Sequence, residues 1–175
     1  MRVIGGAARG RQLKAKLPAT VRPTTDYARE AIFSMLESRG GLNDLVVADL
    51  YCGSGAMGIE ALSRGAAKVY FVDTDPQCLS AAKSNLESLR LAGDALFVRA
   101  NLPVWNPPGD LDLVLADPPY GPLDLASVLH GVEAERAVVE NDRHMEAPAG
   151  WTVTKTKRYG TTLVTMLEPR EGDDE

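Results

Sequence analysis

From Leu45 onward the chain alternates short apolar runs with segments of helical period. LVVADL (45–50), KVYFVD (68–73), ALFV (95–98) and LDLVLA (111–116) are nearly continuous apolar stretches of strand length, the pattern of strands buried on both faces. Between them lie two helix patterns. One opens at the glycine turn CGSGAMG and runs to about Arg64. The other is capped by Asp75 with Pro76 at its first position, a favoured start, and carries Leu79, Ala82, Leu86 and Leu89 along one face. A loop, LPVWNPPGD, precedes the fourth strand. A short helix over about Leu123 to Leu129 leads to a fifth strand near RAVVE (136–140). WTVTKT and TTLVTML alternate apolar with polar around a turn at Arg158 to Gly160, which predicts two further strands.

The start of the chain reads differently. Residues 1–22 predict a glycine-punctuated basic hairpin or arm, with Arg9, Arg11, Lys14 and Lys16 spaced by small residues. Pro23 and Thr24 break it, and Thr25 or Asp26 can cap a helix to about Glu37 with Ala28, Ile32, Met35 and Leu36 as its apolar stripe. The whole predicts an α/β fold: a mostly parallel seven-stranded sheet, covered by helices on both faces, with an antiparallel C-terminal strand. The division expected is a basic arm (1–22), a main domain (23–170) and an acidic, disordered tail (171–175).

Composition changes this picture in one respect. The 175 residues, 45% of them hydrophobic, suit one soluble domain, and no apolar run approaches a membrane span. The N-terminus has charge but no hydrophobic signal core, which points to the cytoplasm. Cys52 and Cys78 fit a reducing compartment, and two cysteines with two histidines make no recognisable metal cluster. The net charge of −5 hides an asymmetry. Residues 1–40 hold eight Lys/Arg and three Asp/Glu, net +5, which leaves −10 for residues 41–175. Small proteins can segregate charge by chance; a basic arm on an acidic body also suits a polyanion.

The candidate chemistry gathers at strand ends. Gly53-Ser54-Gly55-Ala56-Met57-Gly58 matches GxGxxG between a strand and a helix, where glycines admit a ligand to the backbone and to free N–H groups. Asp73 closes the next strand, twenty residues after Gly53, where a carboxylate can take the two ribose hydroxyls of a nucleotide. Asp49, in the strand before the turn, is badly placed beside a pyrophosphate and well placed for an ammonium group. That favours S-adenosylmethionine over NAD, unless the carboxylate is satisfied by backbone donors of its own turn. Asn101, after the third strand, can meet an adenine amine or serve as a cap.

LADPPYG (115–121) ends the fourth strand on the same edge. Pro118 and Pro119 have no N–H and fixed φ angles, so the loop is stiff. The Asp117 side chain and the Pro118 carbonyl can accept hydrogen bonds from an exocyclic NH₂, and the Tyr120 ring can stack on the base that carries it. Two acceptors would concentrate density on a nitrogen that is otherwise a poor nucleophile and align it with a methyl donor. The alternative is a rigid surface turn.

Together these motifs resemble the class I methyltransferases of exocyclic amines, with their Rossmann-like sheet. The phrases IGGAARGRQL (4–13), RPTTDYARE (22–30), DLYCGSGAMGIEALSRGA (49–66), VDTDP (72–76) and DPPYG (117–121) resemble, more closely, the bacterial small-subunit ribosomal RNA guanine-N2 methyltransferase family over most of the chain. The first two phrases are the specific part. The resemblance implies methylation of one guanine of 16S ribosomal RNA on N2, in a partly assembled small subunit, with no metal and no membrane. It implies S-adenosylmethionine contacts at Asp49, Gly53, Gly55, Asp73 and Asn101. Asp117, Pro118 and Tyr120 become the catalytic site, and the arm with Arg9, Arg11, Lys14 and Arg22 an RNA-binding element near it. Arg29 can belong to that element or pair with Asp26 or Glu30 on the helix surface.

Two features depart from the family pattern. Asp73 stands where relatives often have Glu, a shorter reach to the same ribose. The segment Pro122 to Glu135 leaves a short crossover that narrows the acceptor side. Three other readings are an adenine-N6 methyltransferase, an NAD-dependent oxidoreductase, for which His130 and His144 lie in poorly patterned segments, and a non-catalytic RNA-binding protein. The first shares DPPY, the second conflicts with Asp49, and the third leaves the set of aspartates unused.

Overall fold

The computed structural model describes residues 1–15, 17, 25–102, 105–119, 124–129 and 131–170. Arg22, Tyr120, His130 and the acidic tail fall outside the described residues. Among the described residues no helix is long and apolar enough to cross a membrane.

Seven strands form one sheet: β1 (Val46–Leu50), β2 (Lys68–Asp73), β3 (Asp94–Arg99), β4 (Leu111–Ala116), β5 (Ala134–Asn141), β6 (Trp151–Tyr159) and β7 (Thr162–Pro169). Their order is β3-β2-β1-β4-β5-β7-β6. The first five are parallel, and β7 runs antiparallel between β5 and β6. The antiparallel strand expected at the C-terminus is thus β7, held by a hairpin whose turn is Gly160-Thr161. The chain moves from β1 outward to β3, then restarts at β4 on β1's other side. This reversal opens a crevice at the C-terminal ends of β1 and β4, where ligands of open α/β sheets bind.

Alternation along each strand divides the core in two. On one face, Val47, Val69, Phe71, Leu113 and Leu115 pack under the helices α1 (Asp26–Glu37), α2 (Ala56–Ser63) and α3 (Pro76–Glu87). On the other, Ala48, Leu50, Val72, Val114 and Val139 meet α4 (Leu125–Leu129), Trp105 and Trp151. The helix starts follow the sequence. Thr25 accepts the Ala28 N–H ahead of α1, and Asp75 accepts the Gln77 N–H ahead of α3, with Pro76 in its first turn. The expected face of α3 packs on the core, with Ala82 and Leu89 buried, but the buried face is wider than expected. Cys78, Ala81, Ala82 and Asn85 are its buried residues, while Leu79 and Leu86 are only half-buried. A small-residue face lets α3 come close to the glycine turn, and a polar residue, Asn85, is buried beside the expected face.

The N-terminal arm is a hairpin, closed by a bridge between Arg2 and Gln12 and a 3-10 turn at Gly6–Ala8. It belongs to the core: Val3, Ala8 and Leu13 are buried against the helices of the first face. Its turn meets the C-terminal end of α2. Ile4 and Gly5 donate their N–H groups to Glu60 at 2.8 and 2.7 Å, and the Ser63 hydroxyl donates to Gly5 O at 2.6 Å. A Cβ on Gly6, whose φ is +72°, would lie 1.8 Å from the Ser63 carbonyl oxygen, so this docking requires glycine there. Helix α2 runs back from the ligand edge to the start of β2, so the hairpin's turn lies at the far edge of the sheet.

Candidate active site

The glycine turn leaves β1 through Tyr51, whose φ of 59° is in the left-handed region, a conformation that a bulky residue holds only under surrounding constraint. Gly53 and Gly55 follow with φ of 52° and 76°. A Cβ on Gly55 would come within 2.8 Å of the Ala82 Cβ, so α3 closes over the turn only because glycine is there. Gly55 precedes α2 and has no side chain to cap it. The cap comes instead from β1: Asp49 Oδ2 accepts the Gly58 N–H at 2.8 Å, placing a carboxylate at the positive end of the helix.

Asp49 is 1% exposed. Burial pushes its carboxyl well above the usual range; the Gly58 N–H opposes this, and the charges of Asp117 and Asp73 add to it. Asp73 ends β2 with Oδ2 accepting the Gly53 N–H at 3.0 Å and Oδ1 accepting the Asp75 N–H at 2.9 Å. It therefore braces the turn, and each oxygen keeps a lone pair for a further donor. Asp117 is half-buried just past β4, its N–H directed to Leu50 O at 3.4 Å. Pro118 is buried and Pro119 exposed. Asn101 is exposed, two residues beyond β3 on the same edge.

The sheet thus brings Asp49, Gly53, Gly55, Asp73, Asn101, Asp117 and Pro118 to one edge, with Tyr120 outside the described residues. Three carboxylates at one crevice, one of them nearly sealed from water, make a site that favours a cation. Burial raises the Cys52 and Cys78 thiols, the latter to about 11, so neither is a thiolate at neutral pH. His144 is exposed in the loop after β5. Among the described residues no group of His, Cys, Asp and Glu could hold a metal.

The basic residues are dispersed. Arg9 follows the hairpin turn at the far edge. Arg11 donates to the carbonyls of Ser88 and Leu89, both at 2.6 Å, neutralising the C-terminal end of α3. Lys14 is exposed beside a groove of about 520 Å³ between the arm and α3. Arg29 is fully buried and pairs with Asp26 at 2.9 Å and with the Arg2 carbonyl. The Asp26 pairing is one of its two expected partners, although the site is the interior and not the helix surface. Desolvation lowers its affinity for its proton, against which Glu60 and Asp26 act.

Two supports escaped the sequence reading. Asn85 donates to Ser54 O at 3.0 Å and accepts the Ala15 N–H at 2.9 Å, joining the glycine turn to the arm. Glu60 anchors the hairpin. The signal for Asn85 was its place in the helix, one position before Leu86 of the expected apolar face. Glu60 carried none, since nothing local marks it as buried.

A parallel sheet reversing between β1 and β4, an antiparallel β7 and a glycine turn flanked by carboxylates define the fold of the class I methyltransferases. Residues 1–168 match the family described as conserved hypothetical protein 95. The chain is 31% identical over 189 residues to ribosomal RNA small subunit methyltransferase D of Escherichia coli K12, covering 100% of this chain and 92% of that protein. It is 35% identical over 190 residues, 97% of this chain and 100% of the other, to YlbH of Bacillus subtilis, whose name presents it as a candidate rRNA methyltransferase. The solved structure of the candidate methyltransferase yhhF from Escherichia coli superimposes with a TM-score of 0.80 at 31% identity, over 97% of each chain. The chain belongs to this family of small-subunit ribosomal RNA methyltransferase D proteins.

Proposed function

We propose that this protein transfers a methyl group from S-adenosylmethionine to the exocyclic N2 of a guanine in 16S ribosomal RNA, within a partly assembled small subunit in the cytoplasm. The observation that carries the reading is the trio Asp49, Asp73 and Asp117 around the glycine turn, whose mutual repulsion a ligand carrying an ammonium and a sulfonium relieves. When bound, S-adenosylmethionine supplies a methyl on a positively charged sulfur that departs as a neutral thioether. Asp49 faces its ammonium group, Asp73 its ribose hydroxyls and Asn101 its adenine. The Asp117 side chain and the Pro118 carbonyl accept the hydrogens of N2, Tyr120 stacks on the base, and Asp117 is available for the proton N2 loses. The chemistry is mostly positioning. Support for the RNA acceptor comes from the names of the relatives, and for guanine from the N-terminal phrases. Of the described cations proposed for RNA in the arm, Lys14 remains, because Arg11 is engaged with α3 and Arg9 lies at the far edge; Arg22 is assigned to RNA by the family resemblance.

The test is transfer of labelled methyl to small subunits from cells lacking this protein, with the modified nucleoside identified. N2-methylguanine is expected; N6-methyladenine would replace the guanine assignment. Asp117→Ala is expected to lower transfer by at least about a hundredfold while cofactor affinity stays within about tenfold.

A further inference from the structure

The hairpin of β6 and β7 ends at the ligand edge. Asn141, the last residue of β5, pairs with Leu163, and Tyr159 pairs with Thr162 beyond it. The hairpin's turn therefore stands on the same edge as Asp49 and Asp117. Three strand intervals separate it from β4, about 14 Å. Strand β6 is the sheet's outer strand on this side, and Lys155, Lys157 and Arg158 on it are exposed. No ion pair or side-chain hydrogen bond among the described residues engages their side chains. Lys155, Lys157 and Tyr159 oppose Met166, Val164 and Thr162. They therefore project on one side of the strand, the side covered by α1.

Helix α1 adds an aromatic ring. Tyr27, in its first turn, is 65% exposed. Its ring meets Tyr159 edge-on, with centroids 5.6 Å apart, and the Lys157 ammonium lies 5.3 Å from the Tyr159 centroid. Of the two acids flanking it on the helix, Asp26 is paired with Arg29 and Glu30 is exposed one turn on. A large exposed tyrosine beside a second ring, bordered on the same side by Lys155 and Lys157, with Arg158 on the other side of the strand next to the turn, combines the two elements that hold single-stranded nucleic acid: a stacking platform and phosphate-neutralising charge.

We infer that the first turn of α1 and the β6–β7 hairpin form a docking surface for the single-stranded RNA adjoining the target base. Tyr27 stacks on a neighbouring nucleotide, Lys155 and Lys157 neutralise phosphates on the same side, and Arg158 meets the strand where it rounds the hairpin's outer edge. This inference rests on the RNA methyltransferase reading above and extends it to the path of the substrate. It also gives an acidic body a local cationic surface beside the crevice that holds Asp49, Asp73 and Asp117.

The test compares the full chain with Lys155→Ala/Lys157→Ala/Arg158→Ala and with Tyr27→Ala. Three readouts are needed: binding of a fluorescent single-stranded RNA of mixed sequence across a salt series, S-adenosylmethionine affinity, and methyl transfer to undermethylated small subunits. The triple variant is expected to bind RNA at least tenfold more weakly, with a salt slope shallower by about two. Tyr27→Ala is expected to bind about fivefold or more weakly with the slope unchanged. Both should keep the cofactor affinity and melting temperature of the parent, with the transfer defect mainly in KM. Unchanged RNA affinity and slope in the triple variant would overturn the surface, as would an unmodified chain that binds no RNA. RNA binding that the triple variant loses, with no methyl transfer by the unmodified chain, would overturn the methyltransferase reading and leave the surface standing.

Discussion

The two edges of the sheet treat charge in opposite ways. At the far edge, around the C-terminal half of α2, buried charge is compensated. Glu60 is fully buried and accepts the N–H groups of Ile4 and Gly5 and the Arg64 guanidinium. Arg64 also reaches Glu37, and Arg11 is consumed by the end of α3. At the ligand edge, Asp49 is equally sealed, yet among the described residues its side chain has one hydrogen-bond donor, the Gly58 N–H, and two like charges nearby. The cations of β6 stand without ion-pair partners among the described residues. Satisfied charge holds the hairpin to the body. Charge left over is what a ligand can satisfy.

The contrast is sharpest for the two buried carboxylates. Glu60→Ala strands two backbone donors and leaves Arg29 and Arg64 short of their counter-charge, so a loss of about 3–5 kcal/mol is expected in urea unfolding. Neutral stability there would mean that the hairpin is not held as described. Asp49→Asn should instead be as stable as the parent at neutral pH, or more so. With its folded pKa raised above the unfolded value, Asp49 contributes stability that is present below the unfolded pKa and lost as pH rises through the folded one. Its cost should appear in ligand affinity, about 10- to 100-fold for S-adenosylmethionine.

The same shift predicts a proton linkage. A cation beside Asp49 lowers its pKa, so cofactor binding should release protons. Affinity should then rise with pH until the carboxyl of the free protein is ionised. Titration calorimetry in two buffers of different ionisation enthalpy reads this directly; equal apparent enthalpies would show that Asp49 does not meet the cation.

Smaller effects separate the arm's own arginines. Arg11→Ala should cost about 1 kcal/mol, by loss of charge-assisted bonds to the end of α3, with little change in RNA affinity. Arg9→Ala should leave stability within about 0.5 kcal/mol. If Arg11→Ala weakened RNA binding at unchanged stability, the far edge would be a binding face too and the contrast between the edges would fail.

Much of this was legible before any coordinates. The runs at 45–50, 68–73 and 111–116 became β1, β2 and β4 within a residue, because a strand buried on both faces needs an unbroken apolar run. Asp75 with Pro76 marked α3, and Asp49, Asp73 and Asp117 had to share an edge once their strands were parallel. The apolar face of α3 was legible, but its buried neighbours Cys78, Ala81 and Asn85 were not, because the glycine turn demands small residues there, which no pattern within the helix reveals. The basic arm looked like a single RNA-binding unit, although its cations have different fates.

What the sequence by itself determined was the order of elements, the glycine turn and the strand ends where carboxylates fall. These follow from local backbone preference and a fixed strand period. Only the tertiary structure decided which charges are consumed. Ile4 meets Glu60 across 56 residues, Arg11 meets Leu89 across 78, and Tyr27 finds Tyr159 from the other end of the chain. Whether a charge is compensated depends on partners that folding brings near, and this is why the β6–β7 surface emerged from the fold and not from the composition.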